Sequence, residues 1–204
     1  VQKSKLRQKN IIALEGPDGV GKTTVLNLLK DKGYKIVRGI PALWESPELK
    51  KRMIGTDCWL ASAFYFLSGS IENKKFFTPK MQKPVFQDRG IWSSFAVHYK
   101  KNPSLLPEIC KVLSITSSYA DFPKKVFVLD AGFQNVQKRI TLKNETDKNL
   151  DELLPQTKEA YDREIQFFSW LKDLGLPIEI IDASKTAKEI AKTILEKMED
   201  KTHE

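Results

Sequence analysis

Metal-ligating and redox-active residues are scarce in this 204-residue chain, which has two cysteines, Cys58 and Cys110, and two histidines, His98 and His203. The cysteines stand far apart and show no metal-ligand spacing. That excludes a zinc site and a disulfide-framed fold, and it suits a reduced, intracellular setting. Neither histidine carries a partner pattern, so neither is assigned a role. Long apolar runs are also missing. The longest, residues 59–67, is less than half of the ~20 residues that cross a bilayer. No signal-peptide pattern is seen, so no membrane partner is expected and a cytoplasmic location is. Internal repeats and low-complexity segments are absent as well.

Arginine is the remaining shortage. Only Arg7, Arg38, Arg52, Arg89, Arg139 and Arg163 stand among 34 basic residues, set against 26 acidic ones for a net charge of +8. The excess is therefore mostly lysine, which on helix faces serves solubility. It also suits an anionic ligand. No RNA-binding motif or basic–aromatic cluster appears, and a nucleic-acid partner is not expected. The length allows one domain with a sizeable core. We place it at residues 10–200, after a basic tail over residues 1–9 that is expected to fray rather than act as a targeting remnant.

Apolar runs that end in charge or glycine alternate with amphipathic stretches. Strands are expected at residues 10–15, 34–37, 84–88, 126–130 and 178–182. Helices are expected after residue 22, over 57–71 and 104–119, after 133, around 161–171 and over 187–198. Such alternation predicts an α/β fold with a parallel sheet covered by helices on both faces. Ligands of such sheets bind beyond the carboxyl ends of the strands. Those ends carry Glu15, Arg38, Asp88, Arg89, Asp130 and Asp182.

The strongest motif is Gly16-Pro17-Asp18-Gly19-Val20-Gly21-Lys22-Thr23, followed by Thr24, which fits the Walker A pattern. Glycines let successive backbone N–H groups turn inward around a phosphate. The helix that opens near Lys22 adds its positive end. Lys22 supplies a cation for the donor phosphates, and the Thr23 hydroxyl is a ligand for magnesium, the expected cofactor of ATP here. The loop follows an apolar strand and opens an amphipathic helix, which separates it from a glycine-rich turn. Asp18 is either a turn residue or a partner for a sugar hydroxyl of the acceptor.

Other candidates also carry two readings. Asp88-Arg89 lies at a strand end, where a site role is favoured over a structural ion pair. Arg38 falls at another strand end, and two arginines there suit an acceptor phosphate. Arg52 is read as a solvated charge. Arg139 is either a lid cation that neutralises the transferring phosphoryl or a helix-face arginine. Phe64, with Tyr65 and Phe66, is either core or a platform for the acceptor base.

The segments LEGPDGVGKTT (residues 14–24), QDRGIWSSFAVHY (87–99) and IDASKTAKEIAKTI (181–194) resemble thymidylate kinases of the nucleoside monophosphate kinase group. Glu15, Gly16, Asp18, Gly21, Lys22, Thr23, Thr24, Asp88, Arg89 and Ser93 carry the match. The resemblance implies a five-stranded parallel sheet with helices on both faces and a short lid near residues 139–150. It further implies transfer of the γ-phosphoryl of ATP to a nucleoside monophosphate. Carried over by residue, the resemblance implies that Lys22 and the loop amides bind the donor phosphates, Thr23 holds magnesium, Asp88 sits by the metal or the acceptor, Asp18 meets the acceptor sugar, and Arg89 binds the acceptor phosphate. FYFLSGS (residues 64–70) stands where that family has its base-reading arginine, so strong thymidylate preference is not expected. Two rival functions remain: a kinase of the same fold acting on a hydroxyl such as that of a deoxynucleoside, and a P-loop switch or nucleic-acid-associated ATPase. Oligomeric state is not read from the sequence, and a homodimer is left open.

Overall fold

The structure is a computed structural model. It describes residues 7–39, 52, 58, 60–61, 83–116, 121–146 and 157–199. Five of the apolar runs form strands: β1 (Arg7–Glu15), β2 (Lys35–Arg38), β3 (Val85–Asp88), β4 (Asp121–Asp130) and β5 (Ile178–Asp182). They pair in parallel in the order β2-β3-β1-β4-β5. The helices among the described residues are α1 (Lys22–Asp31), α2 (Ile91–Lys101), α3 (Leu106–Thr116), α4 (Phe133–Thr146), α5 (Lys158–Asp173) and α6 (Ala187–Glu199). The expected five-stranded, doubly covered α/β architecture is present.

The two-residue period of a strand explains why the central strands are apolar on both faces. Ile12 and Leu14 of β1, with Phe127 and Leu129 of β4, join one core cluster. Val25 and Leu29 of α1, Val136 and Ile140 of α4, and Ile190 and Ile194 of α6 close over it. Ala13, Val126 and Val128 face the other way, against Phe95 of α2, Ile109 of α3, and Phe167, Phe168 and Leu171 of α5. Each large side chain buried this way contributes on the order of 2 kcal/mol. Thr186 and Glu189 form a reciprocal cap at the start of α6, with Thr186 N donating to Glu189 Oε2 at 2.9 Å and Glu189 N to Thr186 Oγ1 at 3.3 Å.

Three details differ from the sequence expectation. β1 begins at Arg7, inside the segment expected to be a tail, because Arg7 and Lys9 register against Asp121 and Pro123 of an equally extended β4. The lysines and proline of that stretch hide the strand from an apolar-run criterion. Helix α2 was not expected at all: Ser93 and His98 point inward among its apolar residues and break the stripe. The helix expected over 104–119 resolves into a 3-10 turn (Pro103–Leu105) followed by α3. Of the helix expected over 57–71, the structure describes Cys58, Leu60 and Ala61, and the last two are helical. No helix among the described residues is long and apolar enough to cross a membrane.

Candidate active site

The centre of the site is the loop between β1 and α1. Gly16 has φ +124°, and a Cβ there would lie 2.5 Å from the Leu129 carbonyl oxygen, so only glycine lets the loop lie against β4. Gly21, the N-cap of α1, has φ 98° and supplies no capping side chain. The amides of the first turn therefore keep their hydrogen-bonding capacity for an anion, and the helix dipole favours one there. Lys22 is buried, and its Nζ donates to the carbonyls of Gly16 and Pro17, each at 2.7 Å. Burial, aided by repulsion from Arg89, lowers its pKa to about 8. Thr23 and Thr24 face solvent. With Asp18, Lys22, Asp88, Arg89 and Arg139 they line a cavity of about 470 Å³.

The opposite wall is built by the turn from β3 into α2. β3 ends at Asp88, and Arg89 takes φ 59°, a left-handed conformation that costs a non-glycine residue roughly 1 kcal/mol or more. Two contacts hold it there. Arg89 N donates to Leu14 O at 3.1 Å, and Gly90 N donates to Glu15 Oε1 at 2.8 Å. The guanidinium then reaches both ways: Nη2 is ion-paired with the Asp18 carboxylate, and Nη1 donates to Ser93 Oγ at 3.3 Å. Arg89 holds the Asp18 carboxyl well below the usual carboxylate range. Burial opposes the charge on Arg89 itself, but Asp18, Glu164, Glu15 and Asp88 outweigh that penalty and keep it protonated.

Glu15 lies behind this wall with no exposed surface. Its carboxylate accepts from Gly90 N and from the Ser93 hydroxyl. Burial pushes its pKa up to about 7, although Ser93, Arg89, Gly90 and Lys22 all favour the ionised form. Asp88 differs: no described residue donates a hydrogen bond to its side chain, and it faces the cavity. Arg139 of α4 closes the third side. Its Nη1 donates to Val20 O and its Nη2 to Ala183 O, both at 3.0 Å, so one guanidinium clasps the phosphate loop and the turn after β5.

A family model for deoxynucleoside kinases matches residues 12–203. The chain belongs to the deoxynucleoside kinase family. Its fold is shared with deoxyadenosine kinase from M. mycoides. The structure of that enzyme with bound dATP has a TM-score of 0.64 at 16% identity, covering 92% of this chain and 98% of the other. The structure with products dCMP and a flexible dCDP gives 0.63 at 17%, covering 93% and 98%. A comparison with curated protein sequences returns no match.

Membership makes this deoxynucleoside kinase homologue a phosphotransferase and narrows the thymidylate kinase resemblance to a related P-loop kinase fold. It supports the hydroxyl-acceptor alternative better than the monophosphate acceptor suggested by the strand-end arginines. The structure brings Asp18, Gly19, Gly21, Lys22, Thr23, Thr24, Asp88, Arg89 and Arg139 around one cavity. Gly16 and Val20 shape the loop behind it. Arg38 ends β2 beside Asp88 in register but does not line the cavity, and Arg52 is exposed. Residues 139–146 of the expected lid form the end of α4, and Phe64 and the rest of that expected lid lie outside the described residues. Sequence reasoning gave Glu15 and Ser93 no task. Glu15 was noted as a charged strand end, but its burial behind the apolar run at residues 11–14 was the sign of a structural partner.

The residues present fit magnesium. Thr23 and Asp88 offer an alcohol and a carboxylate oxygen on one cavity, the hard donors this ion takes alongside phosphates and water. Among the described residues there is no cluster of three or more histidine, cysteine or carboxylate side chains. A magnesium ion that arrives with nucleotide does not require one.

Proposed function

We propose that this protein transfers the γ-phosphoryl of ATP to a sugar hydroxyl of a deoxynucleoside. The observation that carries the reading is the division of labour between the two cavity carboxylates. Asp18 is ion-paired to Arg89, whereas no described residue donates a hydrogen bond to the Asp88 side chain, which lines the same cavity. A hydroxyl acceptor needs a base within hydrogen-bond reach and no phosphate clamp. A monophosphate acceptor is already anionic at neutral pH and needs an uncompensated cation. Here the guanidinium that could clamp a phosphate is ion-paired with its own carboxylate, and the cavity carboxylate that no described side chain binds is a base. Family membership points the same way.

In this reading the α1 amides and Lys22 hold the donor phosphates, and Lys22 exchanges its carbonyl partners for phosphate oxygens. Thr23 holds magnesium, which when bound neutralises charge on the phosphates. Asp88 accepts the hydroxyl proton as the oxygen attacks. Arg89 and Arg139 sit on either side of the transferring group and offset its negative charge. Asp18, fixed by Arg89, faces the acceptor sugar.

ATP turnover against paired deoxynucleosides and their monophosphates tests the reading. A deoxynucleoside is expected to exceed its own monophosphate by at least about tenfold in kcat/KM. Preference for the monophosphate overturns the proposal and restores the nucleotide-kinase alternative.

A further inference from the structure

The Glu15 carboxylate lies outside the cavity, yet both of its oxygens are committed to the turn that carries Arg89. One accepts the Gly90 N–H at 2.8 Å, and the other accepts the Ser93 hydroxyl. Ser93 Oγ in turn receives Arg89 Nη1 at 3.3 Å, and Arg89 Nη2 is bound to Asp18. The contacts form a closed ring. It leaves the chain at Glu15, runs through Ser93 and Arg89, and re-enters at Asp18, three residues beyond the starting point. Its two halves belong to different elements, the phosphate loop and the β3–α2 turn.

Packing alone does not account for Glu15. Every side of the carboxylate is buried, and an ionised group in that position carries a desolvation cost that an apolar or amide side chain would avoid. Both hydrogen bonds it accepts come from Gly90 and Ser93, in the turn and helix that carry Arg89. Arg89 also needs this support, because its left-handed φ of 59° persists only while the surroundings over-determine it.

We propose that Glu15 is a positioning residue for phosphoryl transfer: through Gly90 and Ser93 it fixes the Arg89 guanidinium, and with it Asp18, at the acceptor side of the phosphate loop. Glu15 touches neither substrate. Its effect on the reaction passes through Arg89.

A double-mutant cycle tests this, using whichever acceptor the wild-type protein turns over fastest. Failure of the deoxynucleoside reading then shows in the acceptor panel, and failure of the present inference shows in the cycle. Glu15→Ala and Arg89→Ala are each expected to lower kcat by ~100-fold. The double variant is expected to fall by about the same ~100-fold rather than ~10,000-fold, because the second change removes nothing that the first has left. KM for ATP stays within about threefold in Glu15→Ala, since Lys22 and the loop amides remain. Glu15→Gln, which can still accept from Gly90 N, recovers at least about tenfold of the loss. Should Glu15→Ala not fold, Ser93→Ala takes its place in the cycle, with a ~10-fold loss that disappears in the Arg89→Ala background. Losses that multiply, or a KM for ATP that rises in step with the fall in kcat, show a purely structural role and overturn the proposal.

Discussion

The guanidinium of Arg89 is ion-paired with the carboxylate of Asp18, a residue 71 positions earlier in the chain. The pair joins the phosphate loop to the end of β3 across the cavity. Removing Arg89 therefore removes a positioned cation and also releases Asp18. Arg89→Ala is expected to cost ~2–4 kcal/mol in kcat/KM for the acceptor, with little change in ATP affinity. Steady-state kinetics with each substrate varied in turn checks this, and a comparable loss of ATP affinity would contradict it.

The same position makes a stability prediction independent of catalysis. Because Arg89 sits at φ 59°, glycine fits the backbone without strain and alanine does not. Arg89→Gly is expected to be more stable than Arg89→Ala by ~1 kcal/mol, against the usual order of these two residues. Urea unfolding of the two variants measures the difference.

Lys22→Ala is expected to abolish phosphoryl transfer, with a fall of at least about a thousandfold, while the far-UV circular dichroism spectrum stays that of the folded protein. The Nζ donates to two loop carbonyls, Gly16 O and Pro17 O, and its charge is expected on the phosphates. Retained turnover in a folded variant would sink the phosphate-loop mechanism.

Asp88→Asn separates the two uses of a cavity carboxylate. As the base for a hydroxyl, Asp88 contributes ~10²–10⁴-fold to kcat, and its loss leaves the magnesium midpoint unchanged. As a metal ligand, it would shift that midpoint to higher concentration. Magnesium titrations of the residual activity distinguish the two, and the base role predicts an unmoved midpoint.

Glu15 also has a pH signature in stability. Its pKa is raised by burial from 4.5 in the unfolded chain to about 7 in the folded one. An acid shifted upward binds its proton more tightly when folded, so unfolding releases that proton and stability falls as pH rises between those two values. Below 4.5 both states are protonated and no penalty applies; above about 7 the penalty is complete. The shift corresponds to ~3 kcal/mol. Glu15→Gln lacks this titration, so its stability relative to wild type should rise by about that much between pH 4 and pH 8 in denaturant titrations. A constant difference across that range would remove the case for a strained carboxylate.

What the sequence made legible follows from how local each signal is. The bounds of β5 could be read directly because its apolar run ends sharply at Asp182. The phosphate loop was legible because residues 16–23 are contiguous and their types have one joint use. The first half of β4 was not, since Pro123, Lys124 and Lys125 look like a loop until the pairing with β1 is known. The same holds for α2, whose inward Ser93 and His98 conceal its stripe. The partnerships of the site lie furthest from view. Asp18 meets Arg89 across 71 residues and Glu15 meets Ser93 across 78, and neither pairing has a local pattern. The acceptor class was open for a related reason: Asp88 and Arg89 offer one group for each chemistry, and only the contact to Asp18 shows which of the two is already engaged.

The central place of β1 bears on how the protein comes to exist. β1 leaves the ribosome before both of its sheet neighbours, β3, whose Val85 registers on Ile11, and β4, whose Val126 registers on Ala13. β3 can cover one edge of it once residue 88 has emerged, but the other edge stays open until residue 130, the last of β4, has emerged. Until then the nascent chain carries an apolar strand with one unpaired edge, a state that favours slow folding and recruitment of chaperones. A fragment that stops short of β4 would keep every residue from Gly16 to Thr23 and still have no wall, from Leu129, against which to fold them. The phosphate-loop sequence is complete at Thr23, but the wall it folds against is completed only about a hundred residues later, at the end of β4.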